Sequence, residues 1–203
     1  METRTYSDLL EIVQSLCGID AFATVELPRI KALINRRATK AYRATDYWPR
    51  FLHVGEERVV ASSIIPYEES GLDQIDTFLM VHVTAPFVAA SAQRYTFHVG
   101  ATGATLVCGT ESPASSFVTY KAVHDTIYGS TGTDTTVVPK EWFDYLAHGT
   151  YADFLRSEGQ QEKAALADAE AVDILIDELL RVDSQRPSFL SGCVSTNANM
   201  QAR

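Results

Sequence analysis

Five histidines are the first residues to test for chemistry, because an imidazole titrates near neutrality and serves as a general base or a metal ligand. They stand at His53, His82, His98, His124 and His148. His82 and His98 fall in strand-like runs with no Asp, Glu or Cys at ligand spacing. His124 and Asp125 are adjacent, and adjacent side chains on an extended strand face opposite sides. His148, between Ala147 and Gly149 in a helical pattern, reads as packing or surface. All five are assigned structural roles, since a site needs convergent partners that these spacings do not supply.

Other chemical signals are equally bare. Gly100-Ala-Thr-Gly-Ala-Thr resembles a phosphate loop but lacks the Lys-Ser/Thr ending and a following helix, so a β-turn is expected. No Ser lies in a GxSxG elbow, and SSFVTYK (115–121) has no partner base nearby. Asp173 and Asp177 share a helical face at i, i+4, a spacing that suits a metal; without a coordinating His the pair reads as a solvated face. Cys17, Cys108 and Cys193 are odd in number and far apart, which argues against zinc and against a disulfide framework and for free thiols. No cofactor and no catalysis are expected.

Charge is the more informative property. The 203 residues carry a net charge of −9, unsuited to a surface that binds nucleic acid throughout. Six of the 17 basic residues nevertheless lie in one predicted helix: Arg29, Lys31, Arg36, Arg37, Lys40 and Arg43. Eleven of the 26 acidic residues lie in 141–183. The basic helix fits three readings: a solvated face whose long stems cover the core, an interface with an acidic partner, or a nucleic-acid contact.

The elements that must position these charges divide in three. A first helix is expected over 5–17, capped by Thr5 with Asp8, striped by Leu9, Ile12, Val13 and Leu16, and stopped by Gly18. A second runs from about Thr24 to Asp46, with Pro28 in its first turn and Leu27, Ile30, Ile34, Ala38, Ala41 and Thr45 on its apolar face. Trp48-Pro49 breaks the pattern. Short β-rich runs separated by turn residues then continue to about Val138, as in an antiparallel sandwich or barrel.

Helix returns after Pro139, ends at a C-terminal Gly159, and resumes from about Gln160 to Val182. There Ala165, Ala169, Val172, Ile176 and Leu179 make the apolar stripe. The expected class is α+β: a helical bundle from N- and C-terminal helices with an inserted antiparallel module. Its parts are 1–52, the β-rich module 53–138, a helical hairpin 139–184, and a flexible tail 185–203. METRTYSDLL is no secretory signal, no apolar run approaches the ~20 residues of a membrane span, and a soluble intracellular protein is expected.

"LPRIKALINRRATKAYRATDYWPRFL" (27–52) together with "VPKEWFDYLAHGTYADFLRSEGQQEKAALADAEAVDILIDEL" (138–179) resembles the head-to-tail adaptors, or connector proteins, of tailed bacteriophage necks. The resemblance rests on a basic helix ending in Trp-Pro-Arg, a Pro-x-x-Trp after the β-module, and the Tyr-Ala-Asp-Phe-Leu-Arg hairpin; it covers residues 5–184. It implies a virion protein, assembled in the host cytoplasm, that forms a ring of about twelve subunits on the portal. Such a ring extends the channel for double-stranded DNA without sequence-specific binding, helps retain the genome, and docks a tail nozzle, hub or other tail protein; no membrane is involved. Phe189 and Leu190, with Arg186, are the expected portal anchors in the tail. Arg29, Arg36, Arg37, Lys40 and Arg43 are the expected subunit interface or acidic-partner face. Asp168, Asp173, Asp177 and Glu178 are the expected acidic seam or channel lining. A tail-completion or terminator ring is the alternative within the same neck, and a DNA-contacting packaging protein the alternative outside it.

Overall fold

The computed structural model describes residues 4–86, 95–100, 103–108, 113–124 and 137–184. In chain order the elements are β1 (Arg4–Thr5), α1 (Tyr6–Cys17), α2 (Leu27–Ala44), β2 (Leu52–Val59), β3 (Ile64–Pro66), β4 (Ile75–His82), β5 (Tyr95–Gly100), β6 (Gly103–Cys108), β7 (Ser115–Ala122), β8 (Val137–Val138), a 3₁₀ turn (Lys140–Trp142), α3 (Phe143–Ser157) and α4 (Gln161–Ser184). The class is α+β. Residues 4–45 with 137–184 form a helical unit, and residues 46–124 form a β unit.

In the helical unit α3 is the central element and packs against α1, α2 and α4. A helix contacted on three sides must be apolar nearly all round. Accordingly Phe143, Tyr145, Leu146, Ala147, Gly149, Thr150, Ala152, Asp153 and Leu155 are all buried. α1 starts at the expected capping box: Asp8 N–H donates to Thr5 Oγ1 at 3.2 Å and Thr5 N–H to Asp8 Oδ2 at 2.7 Å. It ends at Gly18 and buries Tyr6, Leu9 and Val13. α2 begins at Leu27, within the start that Pro28 in the first turn allows.

α3 and α4 are joined by a tight reversal at Gly159. Its φ of 80° is left-handed, its N–H donates to Arg156 O, and Gln160 N–H donates back to Leu155 O at 3.0 Å. These two bonds are the Schellman pair that closes a helix C-terminus.

Two expectations are corrected here. The apolar stripe expected on α4 is the wrong face: Ala164, Ala167, Ala171 and Val182 are buried, while Ala165, Ala169, Val172 and Ile176 are exposed and Leu179 is half-buried. Small alanines let α4 lie close against α3, so the larger apolar set is left outside. The unit boundaries also shift from 52/53 and 138/139. Trp48 O accepts from Phe51 and Leu52 N–H at 3.0 Å, and Phe51 O from Ala122 N–H at 2.8 Å, which ties 46–52 into the β unit. Val137–Val138 pairs antiparallel with Arg4–Thr5 and so belongs to the helical unit.

The β unit holds two three-stranded antiparallel sheets, ordered β2-β7-β4 and β3-β6-β5. Ile65 and Leu106 from one sheet and Ile75, Val81, Val118, Tyr120 and Ala122 from the other share one core. The module is therefore a sandwich. Gly100 pairs with Gly103 at the end of the antiparallel β5–β6 ladder, and the turn expected between them lies outside the described residues.

Candidate functional site

The helical unit buries a charged cluster that the sequence placed on its surface. Arg37 stands among Ile34, Ala38 and Ala41 on the inward face of α2 and is only 2% exposed. Its Nε and Nη2 donate to Asp153 Oδ2 and Oδ1 of α3 at 2.8 and 2.9 Å, a bidentate fork. Nη2 also lies 2.7 Å from Asp168 Oδ1 of α4. Arg36 reaches Asp153 at 2.8 Å, and Arg156 bridges Asp153 and Asp168 at 2.7 and 3.2 Å. Three guanidiniums and two carboxylates thus tie α2, α3 and α4 together.

Burial disfavours the charge on Asp153, yet the bonds from Arg37 and Arg36 outweigh it and hold the carboxyl below its usual range. Asp168 is lowered likewise, against its own desolvation, by Arg37 and then Arg156. Desolvation also opposes the charge on Arg37, and the bonds to Asp153, Tyr145 and Asp168 raise its pKa in spite of it. Arg37 and Asp168 are therefore internal partners of each other. They leave the sets expected for an outward basic face and an acidic seam. Glu178 is half-buried and engaged by Arg181 of its own helix at 2.6 Å.

What remains outside is two unlike helix faces. Arg29, Arg36, Lys40 and Arg43 are exposed along one ridge of α2, with Ala32 and Thr39 between them. Arg29 lies 3.7 Å from Glu158; Lys40 and Arg43 have no ion pair among the described residues. On α4, Leu166 (74% exposed), Val172, Ile176 and Leu180 (65% exposed) form an outward apolar stripe with Ala169. Glu170, Asp173 and Asp177, all exposed, stand along its flank. His148 Nδ1 approaches Glu170 at 3.5 Å.

The β unit contains a polar cluster that sequence reasoning missed. Gly55, at φ 63°, sits where the β2–β7 register shifts between His53 and Glu56. Three residues along a strand should reverse the face; the bulge restores it. His53, Glu56 and Arg58 therefore all lie opposite Tyr120, Val118 and Ser116 on the same side.

Arg58 is fully buried there, with its guanidinium 4.9 Å from the centre of the Tyr120 ring. Its Nη2 donates to Glu56 at 3.0 Å, to Asp73 O at 2.7 Å and to Tyr120 Oη at 2.8 Å, while Nη1 lies 3.9 Å from Glu69. Tyr120 Oη–H donates to Glu56. Burial and then that bond raise the phenol above its usual pKa, against the pull of Arg58. His53 stacks on Tyr120 at 4.9 Å and reaches Asp73 at 3.1 Å. His53 thus has partners that its sequence neighbours do not reveal. The cluster has an imidazole–carboxylate pair, His53 with Asp73, beside the Tyr120 hydroxyl, and its arginine is packed into the sandwich. It is a buried polar lattice bonded through Arg58 Nη2, with Arg58 Nε and Nη1 and Glu69 Oε2 buried without a hydrogen bond among the described residues.

The other chemical candidates are placed as follows. A cavity of about 510 Å³ is lined by Arg4, Lys140, Glu141, Phe143, Asp144, Glu178 and Arg181. Its charges are balanced three against three, and the Arg4 guanidinium covers Phe143 at 4.6 Å. His98 is exposed, His82 is buried, and His124 meets Phe51 edge-to-face. Cys17 is a free thiol pushed up to about 11 by burial. Among the described residues no group of three or more His, Cys, Asp or Glu is placed to hold a metal ion, and no helix is long and apolar enough to cross a membrane. The expected portal anchors Arg186, Phe189 and Leu190, and Cys193, lie outside the described residues. Comparison with family models finds no match, and comparison with curated proteins finds none.

Proposed function

We propose that the chain is a structural ring protein of a tailed-phage neck, a head-to-tail adaptor that binds the portal, continues the DNA channel and docks the tail. The observation that carries this reading is the pair of unlike outward faces on one helical unit, basic on α2 and apolar-acidic on α4. A closed ring is built from heterologous contacts, in which each protomer offers two different complementary surfaces. The internal Arg37–Asp153–Asp168 clamp supports it from another side, because a ring subunit must present those faces at a fixed angle.

The test is electron microscopy of the purified protein mixed with portal rings. Rings seated on the portal at about twelve copies are expected. A sixfold ring on tail ends instead would point to a terminator, and absence from portals in every condition would remove the adaptor reading. The exposed ridge of Arg29, Arg36, Lys40 and Arg43 also favours a second reading, direct contact with duplex DNA. That reading requires salt-sensitive binding by the isolated protein, with a slope reduced by Lys40→Ala and Arg43→Ala.

A further inference from the structure

We infer that the apolar-acidic stripe of α4 is the seat for the basic ridge of α2 from a second copy of this chain. The inference rests on the ring reading and names the two surfaces that would meet. The stripe itself demands a partner: Leu166, Val172, Ile176 and Leu180 lie exposed on one face of one helix, and contiguous apolar surface of that kind marks an interaction site.

Charge and spacing select the occupant. On α4 the acids stand at 170, 173 and 177, a spacing of three and then four. On α2 the cations Arg43, Lys40 and Arg36, read backwards, repeat that spacing of three and then four. Laid antiparallel, Arg43 meets Glu170 and Lys40 meets Asp173, one helical turn apart, while Arg36 at the third position is held by Asp153 of its own chain. Ala32 and Thr39 keep the α2 face low enough for close approach, and the methylene stems of Arg and Lys cover Val172 and Ile176 while their heads reach the acids. A second α4 is a poorer occupant. Two such helices would set Glu170, Asp173 and Asp177 against another row of three acids, with Lys163 in line but Arg181 held by Glu178 of its own helix.

Charge reversal tests the match on exposed side chains, where folding is not at risk. One variant carries Asp173→Lys and Asp177→Lys, the other Lys40→Glu and Arg43→Glu; each is compared with the unaltered full chain by sedimentation over a wide concentration range. The unaltered chain is expected to self-associate. Each variant alone should lose association by at least about tenfold, because like charges then face each other. Mixing the two variants should restore it, since every α4 in the mixture finds an α2 of opposite sign. Association that survives both reversals overturns this docking while leaving the ring reading to its own portal test. Loss that mixing does not restore overturns it too, and assigns α4 to another α4 or to a different partner. An unaltered chain that stays monomeric at every concentration also overturns it. Portal-bound rings built from the α4 variant alone would overturn the docking and uphold the ring.

Discussion

Gly149 leaves the space through which the Arg37 side chain passes. A Cβ built on Gly149 would stand 3.0 Å from Arg37 Cδ and 3.1 Å from its Nε, the atoms fixed by the fork to Asp153. Ala is normally the better helix residue by about 1 kcal/mol, yet here Gly149→Ala should destabilise the helical unit by about 1–3 kcal/mol through overpacking. Arg37→Met should cost about 3 kcal/mol, the low end for a broken buried pair, because Arg36 and Arg156 still face Asp153. The two costs should not add: once Arg37 is gone, Gly149→Ala should be neutral or stabilising. Trp142 lies in the helical unit and Trp48 in the β unit, and they are the chain's two tryptophans. Denaturant unfolding followed by Trp142 fluorescence in a Trp48→Phe background therefore reads the helical unit alone.

Acid should weaken the same unit. Asp153 and Asp168 have folded pKa values lowered from 3.8. A lowered carboxyl contributes stability that is complete above its unfolded pKa and is lost as pH falls through the folded value. The denaturation midpoint should thus be steady between about pH 5 and 7 and fall below about pH 4. Asp153→Asn should be less stable than the unaltered chain at pH 7, with the gap narrowing below pH 4. A gap that stays constant with pH would separate Asp153 from the acid limb.

Local signals were legible and long-range ones were not. Thr5 with Asp8, Pro28, Gly18 and Gly159 each act within a turn of helix, so their types and spacing suffice to place helix ends. Arg37 meets its partner 116 residues downstream, and nothing in the α2 pattern distinguishes it from Arg36 beside it. α4 carries two apolar faces. The larger set, Val172 and Ile176, has the stronger apolar pattern, whereas close approach to α3 selects the alanines. In β2, the alternation reverses at Gly55, so His53 and Arg58 read as opposite faces until the bulge is seen.

Gly159 should resist replacement. At φ 80° a side chain meets its own backbone, although no other atom lies within 4 Å of a Cβ there. Gly159→Ala should therefore lose about 1–2 kcal/mol from conformation alone, and Gly159→Asn less, since Asn tolerates this region. Unfolding read from Trp142 distinguishes the two; equal losses would mean that crowding, and not φ, sets the cost.

The β unit stands on Tyr120 and the bulge that faces it. Tyr120→Phe removes a hydroxyl that donates to the charged Glu56 and accepts from the charged Arg58, while Arg58 Nη2 keeps Glu56 and Asp73 O as acceptors. A loss of about 1–3 kcal/mol is expected, with Trp48 as the reporter in a Trp142→Phe background. Gly55→Ala should cost about 1–2 kcal/mol for its left-handed φ. Deleting Gly55 should keep His53 and the Glu56–Arg58 pair on one side, because His53 and Glu56 then stand two residues apart in an unbroken ladder opposite Tyr120 and Val118; its cost should be no greater than that of Gly55→Ala. If unfolding read from Trp48 shows the deletion to be far worse than Gly55→Ala, the bulge does more than correct the phase of β2.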